Sequence, residues 1–341
     1  MTRPLLSSLV LCLLVFGCSP DEPLISSFAD EWRLLTAGPN GLATYTMPAG
    51  DLANPSVWSG PVGTSYPASD IKRFRDEIYV LHSSQPWIVV INEATLLATD
   101  TIDLGTDGPA SDIAFANATT AYVTLATTKS VGIVDITTNT LVRTIALGSR
   151  PAGIASTGNQ ICVALVDVNE VAVIDSRTNT VEARIGVDQA PYYVEADDLN
   201  SVFCIVCLGS GKIDDGIESV PTIVFVSAAS RAILKKLDVS GKSTNAPSQL
   251  PRGLVVTVNE TAFVPVQNGL VRVNTRTRNK TTVIQFDAYD QIGYNPARAE
   301  IMVQRTVEGV TTTDVLDEYG EVFKASTTQA DSSSALVGIG R

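Results

Sequence analysis

Pro67-Ala68-Ser69-Asp70-Ile71 returns 42 residues later as Pro109-Ala110-Ser111-Asp112-Ile113. After 42 more, Pro151-Ala152 follows with Ile154 behind it. A fixed period of this size marks an array of like structural units, each too small to bury its own apolar faces. Whatever this chain folds into must stack those units against one another.

The content of one unit follows from its strand patterns. After Pro67 come Ile78-Tyr79-Val80-Leu81, Ile88-Val89-Val90-Ile91, a turn at Asn92-Glu93-Ala94, and an outer strand from residue 96 to 104. The next units repeat this with Val131-Gly132-Ile133-Val134-Asp135 and Val171-Ala172-Val173-Ile174-Asp175, each followed by a Thr/Asn-rich turn. Asn and Thr suit such turns by local hydrogen bonding and tolerance of left-handed backbone. The third strand of each unit is apolar at nearly every position, as a strand covered on both faces must be. The last strand alternates: Val181, Ala183 and Ile185 are apolar, Glu182 and Arg184 polar. That is the mark of a half-exposed strand.

Each unit therefore reads as a small antiparallel sheet, and radial stacking of four-stranded sheets is a β-propeller. Proline can open an innermost strand because no ladder donor is needed there. The first unit lacks the post-proline strand, and Ser334 to Ile339 resembles that strand. The expectation is an all-β, seven-bladed β-propeller of four-stranded antiparallel blades, with the C-terminal strand completing the first blade. The domains expected are 1–17, a leader; 18–29, a tether; and 30–341, the propeller.

The leader has Arg3, a short apolar run from Leu5 to Phe16, and then Gly17-Cys18. The run is too short to span a membrane. A small residue directly before a cysteine at this distance from the start resembles the bacterial lipoprotein signal, which implies lipidation at Cys18. Ser19 in the next position resembles outer-membrane sorting, and Pro20-Asp21-Glu22 resembles the acidic export tags of Bacteroidetes surface lipoproteins. The implied location is the cell envelope, at the outer membrane, facing the periplasm or outward.

Cleavage there removes one basic and no acidic residue from a chain with 24 Lys and Arg against 36 Asp and Glu, taking the net charge from −12 to −13. Such a surface repels nucleic acid. Three cysteines stay in the mature domain. Cys162 and Cys204 align with Tyr79, Tyr122 and Phe263, an apolar core position. Cys204-Ile205-Val206-Cys207 sits in an expected strand, where residues three apart face opposite ways. Buried thiols are expected rather than a redox pair.

The stretch from Val171 to Thr180, with Gly186 and a later proline, is similar to the YVTN repeat of bacterial YncE-like propellers. The resemblance covers residues 30 to 341 and is strongest from 67 to 190. It implies the fold and leaves function open, because such scaffolds host many activities. The lipoprotein signal, acidic tag and propeller together also resemble the cobalamin-capturing surface propeller lipoproteins of gut Bacteroidetes, which work with an outer-membrane transporter.

For chemistry, the single histidine, His82, excludes multi-histidine zinc, copper and bis-histidine haem sites. It aligns with Leu125, Leu165 and Val266 and reads as an ordinary strand-end residue. The insertion carrying Asp214, Asp215 and Glu218 has oxygens for calcium but lacks the spacing of an EF-hand loop. It is read as a solvated loop. No paired carboxylate is expected to recur at the channel, and no cofactor is expected. The proline links and the loops between second and third strands share one face, which gathers Tyr66, Trp87, Lys129, Arg150, Asp167, Tyr192, Tyr193, Arg252 and Gln267. Aromatics with arginine are common recognition anchors. The expected function is a lipid-anchored binding or scaffolding module that takes up a small molecule or docks an outer-membrane protein or transporter. The alternatives are a propeller hydrolase or lyase with a carboxylate-bound divalent metal, and an envelope protein-assembly factor.

Overall fold

In a computed structural model, residues 32–38, 41–47, 51–58, 68–209, 213–214, 217–218, 220–239, 251–266, 269–284, 289–320, 323–329 and 335–339 are described. The leader with Cys18, the tether, Tyr66, Asp215 and Gln267 lie outside them.

The chain forms four-stranded antiparallel sheets arranged as the blades of a β-propeller. Six blades are each built from one continuous stretch: A (residues 68–103), B (110–146), C (151–186), D (191–238), E (255–284) and F (291–329). A further sheet is composite. It takes Trp32–Gly38, Gly41–Met47 and Asp51–Trp58 from one end of the chain and Ala335–Ile339 from the other. The expectation of seven blades, with the C-terminal strand completing the first and closing the ring, is corrected to six four-stranded blades, each of continuous chain; the sheet that Ala335–Ile339 joins draws on both ends of the chain and is not one of them. Part of the longer separation between Pro191 and blade E comes from a two-stranded ribbon, Ile213–Asp214 with Ile217–Glu218, inserted in blade D.

The core lies between blades, as the two-residue strand period requires. In blade A, Ile78, Val80, Val89 and Ile91 pack towards Leu35 and Leu42 of the composite sheet. Their alternates, Tyr79, Leu81, Ile88 and Val90, pack towards Ala121, Val123 and Leu125 of blade B. Blades B and C repeat the arrangement through Tyr122, Val131, Ile161 and Val163. Each such side chain is fully buried, and each contributes about 1.5–3 kcal/mol on burial. The outer strands are wet and alternating: Thr180–Gly186 shows exposed and half-buried residues in strict turn.

Turn chemistry recurs with the repeat. Asp135 Oδ1 accepts from the Thr137 N–H at 2.8 Å, and Asp175 Oδ1 accepts from the Arg177 N–H at 2.7 Å. Asn139 and Asn179 close these turns with φ of 51° and 57°, a left-handed conformation that Asn adopts at low cost. Asn179 also accepts a hydrogen bond from the Tyr122 hydroxyl of the preceding blade, tying turn to neighbour. The three cysteines of the propeller are free and buried. Cys204 packs between blades D and E, while Cys207 packs between C and D. The two thiols therefore face opposite sides of one strand, as the strand geometry dictates.

The innermost strands of adjacent blades approach closely at one point. A methyl group on Gly153 would stand 2.5 Å from the Tyr192 carbonyl oxygen and 2.7 Å from the Val194 nitrogen, both backbone atoms that cannot yield. Gly186 has nothing within 4 Å of the same position. We expect Gly153→Ala to destabilise the fold by about 1–3 kcal/mol, the range for overpacking, whereas Gly186→Ala stays within about 0.5 kcal/mol. Urea unfolding of both variants checks this; equal midpoints would contradict the close approach of blades C and D.

Candidate functional site

The innermost strands are Ala68–Phe74, Ala110–Phe115, Pro151–Thr157, Pro191–Asp197, Val255–Thr257 and Gln291–Asn295. They surround a channel of about 900 Å³. In blades A to D, the pairing of this strand with the next is irregular near its start: between Ala68 and Asp70, Ala110 and Ile113, Pro151 and Ile154, and Pro191 and Tyr193. A bulge re-aims side chains locally. Here it falls at the aspartates of the repeat, and Asp70 and Asp112 line the channel. The expectation that no paired carboxylate recurs there is overturned: the two aspartates occupy equivalent positions of successive repeats and line the same channel, where Asp70 makes Asp112 harder to ionise.

Asp112 is held tightly. Its Oδ1 accepts from its neighbour Ile113 N at 2.7 Å, and its Oδ2 accepts from Ile154 N of blade C at 3.0 Å. Blade C is one residue shorter at this point, Pro151-Ala152-Gly153-Ile154, and has no aspartate of its own. Asp70 Oδ1 accepts from Ile71 N at 2.8 Å. Beside the pair stands Lys72, whose Nζ lies 3.0 Å from Glu195 Oε1 and 3.7 Å from Asp112 Oδ1. Lys72 belongs to blade A and Glu195 to blade D, three blades further round, so this ion pair bridges the channel.

Burial sets the protonation. It pushes the Asp112 carboxyl up to about 7, with Lys72 pulling the other way and Asp70 adding to the rise. Burial likewise raises Asp70 and Glu195, again against the pull of Lys72. For Lys72 itself burial disfavours the charge, but Asp112, Glu195 and Asp70 outweigh it and hold the ammonium well above its ordinary range. The site thus gathers one firm cation and three carboxyl groups that burial makes harder to ionise. Neighbouring carboxylates add to this because both cannot readily ionise.

At the proline-link mouth, the Tyr192 and Tyr193 rings meet edge to face with centroids 4.9 Å apart. Tyr192 is 38% exposed. Burial, with Tyr192 beside it, pushes the Tyr193 phenol up to about 12. Arg150 also lines this mouth and pairs with Asp167 at 3.2 Å. At the opposite end, Arg75 lies over the Phe74 ring, 5.3 Å from its centroid, and Phe74 stacks on Phe115 at 4.3 Å.

The face expected from the sequence is thus brought together in part. Arg150, Tyr192 and Tyr193 line the channel mouth, and Asp167 joins them through its ion pair. Lys129 is an exposed turn residue with φ of 53°, and Arg252 is an exposed residue 3.8 Å from Asp290. Trp87 packs against the core between the composite sheet and blade A. It meets His82 edge-on at 5.7 Å. His82 Nδ1 accepts from the N–H groups of Ser84 and Gln85 at 3.0 and 3.1 Å, and burial pushes its pKa down. A neutral ring that organises the loop after its strand accounts for this histidine. Asp214 and Glu218 sit on the blade D ribbon. Among the described residues, no group of three or more His, Cys, Asp or Glu has the geometry to hold a metal ion.

No protein-family model matches the chain, and no curated protein matches it in sequence. Solved structures do resemble it. The periplasmic gluconolactonase PpgL of Pseudomonas aeruginosa is similar with a TM-score of 0.70 and 10% identity, over 91% of this chain and 99% of that one. A protein from Lactobacillus plantarum is similar with a TM-score of 0.69 and 12% identity, over 91% and 100%. Hydrazine synthase of Kuenenia stuttgartiensis is similar with a TM-score of 0.61 and 17% identity, over 75% and 79%. At such identities the likeness extends to the fold alone, and that fold is the β-propeller.

Proposed function

We propose that this protein is a lipid-anchored binding module of the cell envelope that captures a small molecule in its central channel. One observation carries the reading. A channel of about 900 Å³, within the range of small-molecule sites, opens past the exposed Tyr192 and its half-buried neighbour Tyr193 onto half-buried, ion-paired polar groups. Apolar walls with a few convergent polar groups are the usual make-up of such sites. Here the polar groups come from blades A, B and D, while Leu254, Val255 and Ile292 line the wall from blades E and F. The anchor rests on Gly17-Cys18 and the apolar run before it. Docking of an outer-membrane partner on the same mouth belongs to this proposal.

A second reading is supported by one feature. A carboxyl group held at about 7 is suited to general acid–base work at neutral pH, and PpgL is a gluconolactonase. A hydrolase would then use Asp112 with Asp70, and Lys72 would stabilise developing negative charge. The metal-dependent version is disfavoured by position: the Lys72 ammonium stands among the carboxylates where a divalent cation would have to sit.

A thermal-shift screen of polar metabolites tests capture. A ligand at 100 times its Kd stabilises the protein by about 2.7 kcal/mol. For a ligand so found, Tyr192→Ala combined with Arg150→Ala should weaken binding at least tenfold and leave the unliganded melting temperature unchanged, since both side chains are exposed. Undiminished affinity would remove the mouth from the site. The anchor has its own test. Replacing Cys18 by Ala should move the protein from the membrane fraction to the soluble fraction and abolish palmitate labelling; continued labelling would refute lipidation at this residue.

A further inference from the structure

We propose that the face of the Thr/Asn-rich turns, opposite the proline-link mouth, lies on the lipid bilayer that holds the Cys18 anchor. This rests on the lipid anchor proposed at Cys18, and it adds which way the propeller stands on it.

The place where the tether leaves is the first ground. Trp32–Gly38 lies next to Ala335–Ile339 in the composite sheet, the place that the second strand holds in each blade. Second strands start at the turn face, as Gln160–Leu165 does after the turn at Gly158 and Asn159. Trp32 therefore begins at that face. Fourteen positions separate it from Cys18, and such a chain spans about 50 Å when fully extended. A bilayer under the turn face is met directly. To reach a bilayer at the mouth face, the tether would first cross about 10 Å over two outer strands and then run about 20 Å along a strand. That takes more than half its reach.

The make-up of the face is the second ground. Turns between first and second strands, and between third and fourth, all end there. In blades B and C their exposed tips are polar: Asn117, Thr138, Asn159 and Thr178. Blades A, D, E and F instead expose Leu97, Leu199, Val258 and Tyr319, with Leu199 at 72%. These blades are not scattered. Ala335–Ile339 packs beside the inner strands of blades F and A, so the apolar tips flank the sheet from which the tether leaves. Hydrogen bonds join the turns of D, E and F. Asn200 Nδ2 donates to Glu260 Oε1 at 3.0 Å, the Val258 N–H to the Tyr294 hydroxyl at 3.4 Å, and Arg272 Nη1 to the Tyr319 carbonyl at 2.8 Å. Polar residues are the default at turn tips. Apolar ones held on a tied base can enter a headgroup layer.

Charge permits the contact. The chain carries a net charge of −12, which opposes an anionic bilayer. Among the described ion pairs, however, the two most exposed arginines, Arg177 and Arg276, stand on the turn face. Two acids of the same patch have partners: Glu260 pairs with Arg276 at 3.9 Å, and Glu318 accepts from Asn259. Asp198 is exposed beside Leu199. Arginine with aliphatic and aromatic side chains is what interfacial segments present to lipid. The mouth with Tyr192 then opens away from the bilayer, and a ligand enters from the aqueous side.

Fluorophores placed on the two faces test this. The intact lipidated chain is reconstituted in vesicles of phosphatidylethanolamine and phosphatidylglycerol, with brominated acyl chains as quencher. Single cysteines replace Leu199 or Val258 on the turn face and Val168 or Val307 on the mouth face, all exposed positions. Cys162, Cys204 and Cys207 are buried and take no label. Labels at Leu199→Cys and Val258→Cys should be quenched at least fivefold more than those at Val168→Cys and Val307→Cys. Adding Leu97→Glu and Leu199→Glu to the Val258→Cys chain should cut its quenching at least threefold and leave the melting temperature unchanged. Equal quenching on both faces, or more at the mouth, would overturn the proposal. Turn-face labels that quench one another, with no bromine effect, would overturn it in favour of a second copy of this chain. Label entering at Cys18 of the unsubstituted chain means that the anchor itself fails. The turn-face variants, now with Cys18→Ala, are then mixed with preformed vesicles: bromine quenching keeps the face as a lipid-binding surface, and its absence overturns it.

Discussion

No blade of this protein can cover its own faces, and the rest of the structure follows from that constraint. The middle strands of each blade are apolar on both sides, so each face needs a neighbouring sheet at about 10 Å. Ile78 and Val80 serve one interface while Tyr79 and Leu81 serve the other. Removing a large side chain therefore opens a gap between two blades rather than within one. Stability is shared among interfaces that all resemble one another. Polar links reinforce them at the rim: Tyr122 to Asn179 between B and C, and Asp197 to Thr275 at 2.5 Å between D and E.

The same stacking that buries the faces also brings the innermost strands together, and this creates the site. Backbones of blades C and D approach so closely at Gly153 that no side chain fits. Charged side chains that point inward are half-buried there. Charged groups in such a place must find partners, because an isolated charge in low dielectric is costly. Asp112 meets this with two backbone N–H donors from two blades, and Lys72 meets it with carboxylates from blades B and D. The polar network is thus a consequence of convergence, and it is also what gives the channel a defined chemistry.

The sequence made the architecture legible because the repeat is written in local terms. Strand alternation, Thr/Asn-rich turns and prolines at strand starts all act within ten residues, and blades B and C show them where the period places them. Cys204 and Cys207 were readable for the same reason: strand geometry alone puts them on opposite faces. The site was harder to read. Asp70 and Asp112 were visible as a beat, but a bulge decides where they point, and nothing in the spacing marks a bulge. Lys72 and Glu195 lie 123 residues apart, so only ring closure brings them together. One signal was present. Asp70, Lys72 and Glu195 are charges inside innermost strands, the places where an apolar residue would be the default.

That signal separates structural from functional roles among the channel groups. Asp112 is sufficiently explained by structure, because the shortened start of blade C leaves Ile154 N in need of an acceptor and Asp112 supplies it. Asp70 accepts from its own neighbour, Ile71 N, at 2.8 Å. Its presence raises the cost of ionising Asp112. An apolar residue at position 70 would lift that repulsion and leave Asp112 free to bridge the blades as a full carboxylate. Glu195 is similar: it partners Lys72, and Lys72 partners it, yet replacing both by apolar residues of like volume would close the channel at little cost, as is common for buried ion pairs. Structure alone accounts for one of the four charges. The other three keep a polar cavity open at the centre of the ring, and it is on this cavity that the proposed capture of a ligand rests.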